Sequence, residues 1–307
     1  MIDAFVLDDG IRKAKSLETR KPIWVDVSDP TKPEMDALKK RFLLHGLTVE
    51  DCSKTGNRVK LEQFREYVFI IIYGPGKGKD AEQVQLNFIL GRGFLVTVHK
   101  GRVSSFEEMK GDSVRMKRAL SRGPDFLLHQ LMDVETDNYF PVMERIEDQI
   151  DELEDEVYRS VDHKVLGKLF RLKRQLLEIR RKTSPQKDVV LALSRGGTFI
   201  SERTSIYFRD MYDHIIRIDE SIDDYREVLS NTLEVHLSMV SNRMNEVMKT
   251  LTIIATIMLP LTVITGIYGM NLYIPEASYD ATYFIVISAM AILIGGMVIY
   301  FWRKRWL

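Results

Sequence analysis

The chain is nearly devoid of cysteine: one residue in 307, Cys52, leaves no internal disulfide framework and no cysteine-based zinc cluster. Net charge is lacking as well, because 44 Lys and Arg balance 44 Asp and Glu. Without a global positive field to recruit a phosphate backbone, nucleic acid is not an expected partner. No nucleotide is expected either. Gly74-Pro-Gly-Lys-Gly-Lys79 looks superficially like a phosphate loop, but it lacks the Walker spacing and any Ser or Thr after its lysine, and reads as a hairpin turn. The six histidines, His45, His99, His129, His163, His214 and His236, have no short metal-ligand spacing and read as structural. Met1 to Lys15 mix apolar and charged positions, so no cleavable secretion signal is expected. Gly and Pro are missing from 198 to 259, a gap of 62 residues. Long uncharged runs are absent until Thr250.

What is present divides the chain into blocks. Residues 1–123 read as an α/β domain: Ile23-Val27, Tyr67-Tyr73, Gln83-Leu90 and Phe94-Val98 as strands, Gly74-Gly78 and Gly91-Gly93 as turns. Thr31-Leu44 and Thr48-Lys54 read as helices between them. From Pro124 the strand signals stop, and Phe126, Leu127, Leu131, Val134, Ile146, Ile150, Leu153 and Val157 recur at helical spacing. Within 124–196, residues 144–156 carry eight acidic side chains and one Arg, whereas 164–182 carry eight basic ones and one Glu. That reads as an antiparallel helical hairpin joined by ion pairs, with a turn at Val161-His163 and an acidic tip able to concentrate cations. Residues 197–249 then predict a stalk helix that continues into the apolar segment; 62 residues would extend roughly 90 Å, more than any bilayer. The class expected overall is α+β.

Thr250 to Pro275 has no charged residue, and Tyr283 to Trp302 is a second uncharged run of 20, so transmembrane helices are expected at 250–268 and 283–302. Tyr268, Tyr273, Tyr279, Tyr283, Tyr300, Phe301, Trp302 and Trp306 stand where interfacial aromatic rings belong. The tail at 303–307 carries Arg303-Lys304-Arg305, while the loop at 269–282 carries Glu276 and Asp280 and no Lys or Arg. The positive-inside rule therefore expects both termini in the cytoplasm, with the protein in the inner, or plasma, membrane.

After the first span the sequence reads Tyr268-Gly269-Met270-Asn271 and then Pro275-Glu276. With the α/β domain, the acidic and basic hairpin, the long stalk, the second span and the basic end, nearly the whole chain resembles the CorA family of divalent-cation channels. The resemblance implies a magnesium channel in the form of a funnel-shaped homopentamer embedded in membrane lipid. Gly269, Met270 and Asn271 would form its selectivity filter, with Gly269 letting the backbone leave the helix and Glu276 raising the local cation concentration. A ring of Asn271 amides can hold hydrated magnesium through its water shell without the tight grip of carboxylates.

Below Asn271, Gly266, Thr262, Leu259, Ala255, Leu251 and Met248 share one helical face, which continues through Asn245, Ser241, Ser238 and Glu234. The resemblance makes this stripe the pore lining, with hydroxyls from Thr262 and apolar constrictions from Leu259, Leu251 and Met248; helix packing is the competing reading of the apolar members. Pro260 removes one helical hydrogen bond and would bend the span locally. The resemblance also implies divalent ions held between the cytoplasmic domains of neighbouring subunits that keep the pore shut. Asp51 and Asp210 match that pair, and Glu50 and Asp133 match an adjoining site less closely.

Cobalt and nickel are further expected substrates, whereas zinc is less so, because the zinc branch generally departs from methionine at the position of Met270. A two-span signalling or anchoring protein is the alternative of another class, but it would call for a hydrophilic output motif, and none is found. No enzymatic chemistry is expected.

Overall fold

The computed structural model of the chain describes every residue other than 9, 15, 20, 77–81, 160–162, 272–274, 276–280 and 307. Two compact units result, Met1–Leu233 and Glu234–Leu307.

The first unit is built on a sheet of seven strands among the described residues, in the order β2-β1-β3-β7-β6-β5-β4. The strands are β1 (Ile2–Leu7), β2 (Ile11–Lys13), β3 (Ile23–Ser28), β4 (Lys60–Gln63), β5 (Tyr67–Pro75), β6 (Gln83–Gly91) and β7 (Phe94–His99). β3 and β7 run parallel and the other neighbours antiparallel. The continuous apolar run of β5 follows from burial on both faces. Val68, Ile70 and Ile72 point to one core, Phe69, Ile71 and Tyr73 to the other. Helices α1 (Lys32–Phe42) and α2 (Gly46–Ser53) cover the second core. Helices α3 (Ser104–Gly111), α4 (Ser113–Arg122), α5 (Pro124–Asp137) and α8 (Gln186–Ser194) cover the first, with the start of α9 (Glu202–Tyr268).

The four expected strands and two expected helices form. β1, β2, β4, α3 and α4 were not anticipated, because β2 and β4 are short and charged and α4 buries only Met116, Ala119 and Leu120. Two of the expected turn glycines lie inside strands. A Cβ on Gly91 would fall 2.2 Å from the Phe94 ring, and one on Gly74 would fall 2.0 Å from Glu135 Oε2, so each glycine answers a close approach. The turn after β6 uses Gly93 instead, at φ +84°. The rest of the segment expected to turn after β5, from Lys77 on, lies outside the described residues.

The hairpin forms from α6 (Phe140–Arg159) and α7 (His163–Thr183), although most of its connecting turn is outside the described residues. Its seam is apolar, with Ile146, Ile150, Leu153 and Val157 buried alongside Val165, Leu169, Leu172 and Leu176. Lys168 reaches Glu156 at 2.6 Å across the hairpin, but much of the charge turns toward α9. Arg180 pairs with Asp223 at 2.6 Å, while Glu147 accepts from Tyr225 at 2.8 Å and Glu154 from Thr232 at 3.0 Å. The complementary charges thus dock the hairpin on the long helix as well as closing it on itself.

A buried polar cluster inside the first unit gathers around Asp26. Asp26 on β3 is 1% exposed and receives Lys110 at 2.7 Å, with His99 at 3.4 Å and the Thr97 hydroxyl beside it. Burial pushes this carboxyl up, but His99 and Lys110 outweigh burial and hold it below its ordinary value.

In the second unit α9 continues through Pro260 to Tyr268, and α10 spans Thr282–Arg303. Each contains a window apolar enough to cross a bilayer, of which only 6% is buried within the chain. The apolarity of these windows therefore does not serve the core of the chain itself. Lys249 donates to the Arg305 carbonyl at 3.1 Å and Trp306 stacks on Phe301 at 5.8 Å, tying the tail to both helices.

Lys110→Met strands the Asp26 carboxylate, and chemical denaturation should register a loss of about 3–5 kcal/mol. Adding Asp26→Asn should recover much of that loss, whereas additive losses would mean that the pair is not coupled.

Candidate functional site

Each unit carries its own candidate residues. In the second, Glu234, Asn245, Met248, Leu251, Ala255, Leu259 and Thr262 are all exposed on the single chain, with Leu259 66% exposed. Along the stripe the side chains run from carboxylate and amide through Met and Leu to a hydroxyl, and then to bare backbone at Gly266. The Thr262 hydroxyl donates to the Met258 carbonyl at 2.9 Å, so its proton is spent within the helix. What it offers outward is lone pairs, the chemistry a hydrated cation needs.

Above the stripe the helix closes with Gly269 N donating to Thr265 O at 2.8 Å and Met270 N to Ile267 O at 3.3 Å. Gly269 has no positive φ; a Cβ there would sit 2.9 Å from the Thr265 carbonyl, so closeness rather than handedness requires glycine. Asn271 follows, exposed. Glu276, Tyr273 and Tyr279 lie outside the described residues.

In the first unit the four acidic candidates occupy two neighbourhoods. Glu50 and Asp51 lie on α2, where Glu50 pairs with Lys54 at 2.5 Å and Asp51 with Lys60 at 2.8 Å. Lys60 also holds Glu62 at 2.7 Å. Burial works against its charge, but these two carboxylates outweigh burial and raise its pKa.

Asp133 on α5 and Asp210 on α9 form the second neighbourhood. Burial first, then the charge of Asp137 one turn away, pushes Asp133 up to about 6, and Asp210 adds to the same repulsion. His129, buried beside them, is pushed down to about 4 by its desolvation. Ligand atoms of Asp133, Asp137 and His214 lie within 4.8 Å of one another, and His214 Nδ1 meets Asp137 at 2.9 Å.

The histidine that spacing left as structural therefore joins the acidic group, supplied from 77 residues away. The i,i+4 spacing of Asp133 and Asp137 was readable; the approach of α9 was not. Such a set offers two oxygens and an imidazole nitrogen, a mixture accepted by cobalt, nickel or zinc and by magnesium through its carboxylates.

Asp133 binds its proton more readily folded than unfolded, where its pKa is near 3.8, so it subtracts stability above about pH 6 and returns it as pH falls toward 4. With divalent ions chelated, Asp133→Asn should stabilise the protein by on the order of 1–2 kcal/mol near pH 7.5, and thermal melts should find that gain gone by about pH 4.

With the fold and these residues in view, comparison with known proteins gives a consistent result. The family model described as CorA-like Mg2+ transporter protein matches residues 20–305. The cobalt/magnesium transport protein CorA of Thermotoga maritima is 36% identical over 294 residues, covering 93% of this chain and 84% of that protein. The protein of the same description from Methanocaldococcus jannaschii is 28% identical over 299 residues, covering 95% and 93%. The complete structure of the CorA magnesium transporter from that organism superposes with a TM-score of 0.90 at 25% identity, covering 100% of this chain and 99% of that one. A match that spans both units and runs through the Tyr-Gly-Met-Asn segment places this chain in the CorA-like magnesium transporter family.

Proposed function

We propose that the chain is one subunit of a homopentameric channel in the inner membrane that passes magnesium into the cytoplasm, down its electrochemical gradient. The observation that carries this reading is the stripe on α9. A helix whose apolar window is 6% buried needs an external partner, and one face of it is graded from carboxylate and amide to hydroxyl. Two spans per chain cannot enclose a wet path, so several copies must gather with this face inward. Lipid then covers the remainder. Both termini face the cytoplasm, because the basic residues lie at the tail and none lies in the loop between the spans.

At the outer mouth the Gly269-Met270-Asn271 turn presents Asn271 as a ring of amide oxygens. Magnesium sheds water reluctantly, and neutral amides hold its hydration shell weakly enough to let it go. Glu276 contributes long-range attraction. Leu259, Leu251 and Met248 form the narrow apolar levels that dewet when the pore is shut, Ala255 lines the wall between them, and Asn245 and Glu234 line its wetter inner end. No chemical energy source is required, since a negative interior favours influx of a divalent ion by about 4 to 5 kcal/mol per 100 mV.

Control comes from the cytoplasmic acids. Asp51 of one subunit and Asp210 of the next face each other, with Glu50 and Asp133 adjoining, and a magnesium ion between them stabilises the closed ring. Cobalt and nickel are substrates of the same pore, and the imidazole of His214 near Asp133 gives transition metals an additional foothold on the regulatory side. The protein works as a transporter and not as an enzyme.

Flux into liposomes, with magnesium, cobalt, nickel and zinc supplied separately, ranks the substrates. Asn271→Ala should abolish magnesium uptake while the oligomer still assembles; unchanged flux rejects the filter. Asp210→Lys should remove magnesium-dependent protection of α9 from proteolysis, and persistent protection rejects the sensor pair.

A further inference from the structure

The carboxylate assigned to the regulatory pair already has a cation on it. Lys60 Nζ stands 2.8 Å from Asp51 Oδ2 and 2.7 Å from Glu62 Oε1, so one ammonium bridges two acids. Lys60 and Glu62 are two residues apart on β4, the edge strand, and share a face of it; Asp51 comes from α2 above. The ammonium also lies over the Phe69 ring at 5.5 Å.

We propose that Lys60 is a built-in competitor for the divalent ion at Asp51, held on Asp51 when the ion is off and retained by Glu62 when it is on. This rests on the reading of Asp51 as a regulatory ligand.

Three features favour exchange over a merely structural ion pair. The side chains of Lys60, Asp51 and Glu62 are 28%, 22% and 39% exposed, so water moderates the attraction and the pair can be opened. A dication attracts a carboxylate with twice the charge of an ammonium, and at the proposed site it would gain the Asp210 carboxylate of the neighbouring subunit as well. Glu62 removes the usual obstacle to opening such a pair, because the displaced ammonium keeps a partner 2.7 Å away.

Two carboxylates and one lysine leave a single negative charge at the site. Divalent binding there is therefore weaker than at the same two carboxylates without the lysine, whose charge would be twice as large, and this places the closing response at higher magnesium. A carboxylate that bound its ion too tightly would stay closed at all cytoplasmic concentrations.

The test is magnesium titration of the proteolytic protection of α9 in the detergent-solubilised full-length oligomer. Lys60→Met keeps an apolar stem over Phe69 and removes the charge; the magnesium concentration giving half-protection should fall several-fold, to roughly a tenth of wild type. Lys60→Gln should repeat the shift and guards against a folding artefact of the first variant. Lys60→Arg keeps the charge and should not lower it. Glu62→Gln should raise the midpoint, and should do so much less in the Lys60→Met background. An unchanged or raised midpoint in both neutral variants overturns the proposal. Asp51→Ala separates the two ideas: if it moves the midpoint while Lys60→Met does not, only the competitor is lost. If Asp51→Ala also leaves the midpoint unmoved, the regulatory role of Asp51 falls and the competitor with it.

Discussion

A carboxylate drawn out of water needs a cation, and the acidic groups of this molecule differ mainly in how that need is met. Asp26, 1% exposed, meets it permanently with Lys110, and the pair is part of the folded core. Asp51 meets it with Lys60 at an accessible edge, where the partner can be exchanged. Asp133 meets it poorly: its nearest basic contact is His129 at 3.9 Å, an imidazole that burial keeps neutral, while Asp137 and Asp210 press their charge on it. The gradient from locked to exchangeable to frustrated runs from the centre of the sheet to the faces of α2, α5 and α9. On the proposed reading it separates structural acids from acids available to a metal.

The same constraint bears on the pore proposed for the second unit. A dense ring of bare carboxylates at a pore mouth would hold a divalent ion too firmly to release it. Asn271 supplies oxygen without charge, and Thr262 supplies lone pairs because its proton is already given to the Met258 carbonyl. In the proposed pore both groups would act on the ion's water and leave its inner shell intact, which suits a cation that dehydrates as reluctantly as magnesium. On the proposed reading, affinity is kept on the regulatory side and the ion is held weakly along the pore.

The strongest elements were legible in the sequence because they rest on local pattern. β5 announced itself as an unbroken apolar run, and the apolar halves of α9 and α10 by the absence of charge. The stripe from Met248 to Gly266 needed only helical spacing. What escaped was set by contacts across the chain. Gly91 looked like a turn because glycine usually means one, yet it is there to admit the Phe94 ring. Lys60 sat on a four-residue strand that no pattern flagged, and its bond to Asp51 depends on α2 packing over β4. His214 could not be placed beside Asp137 by spacing at all, since α9 brings it from 77 residues away. Sequence named the carboxylates; the fold was needed to name their counter-charges.

Those counter-charges bear on how a passive channel can regulate itself. Influx driven by membrane potential has no fuel to withhold, and in the proposed channel closing is assigned to an ion bound on the inner side. Such a site is useful only if its occupancy changes over the range in which the cytoplasmic ion varies, which demands moderate affinity. Opposed carboxylates alone would overshoot that affinity, since like charges brought together bind a dication strongly. An internal ammonium with a second acid to rest on lowers the gain by a fixed amount while keeping every charge partnered in both states. Binding energy for the closed form then becomes the difference between two ion pairs instead of the whole of one, and small differences of that kind are what a reversible sensor can be set by.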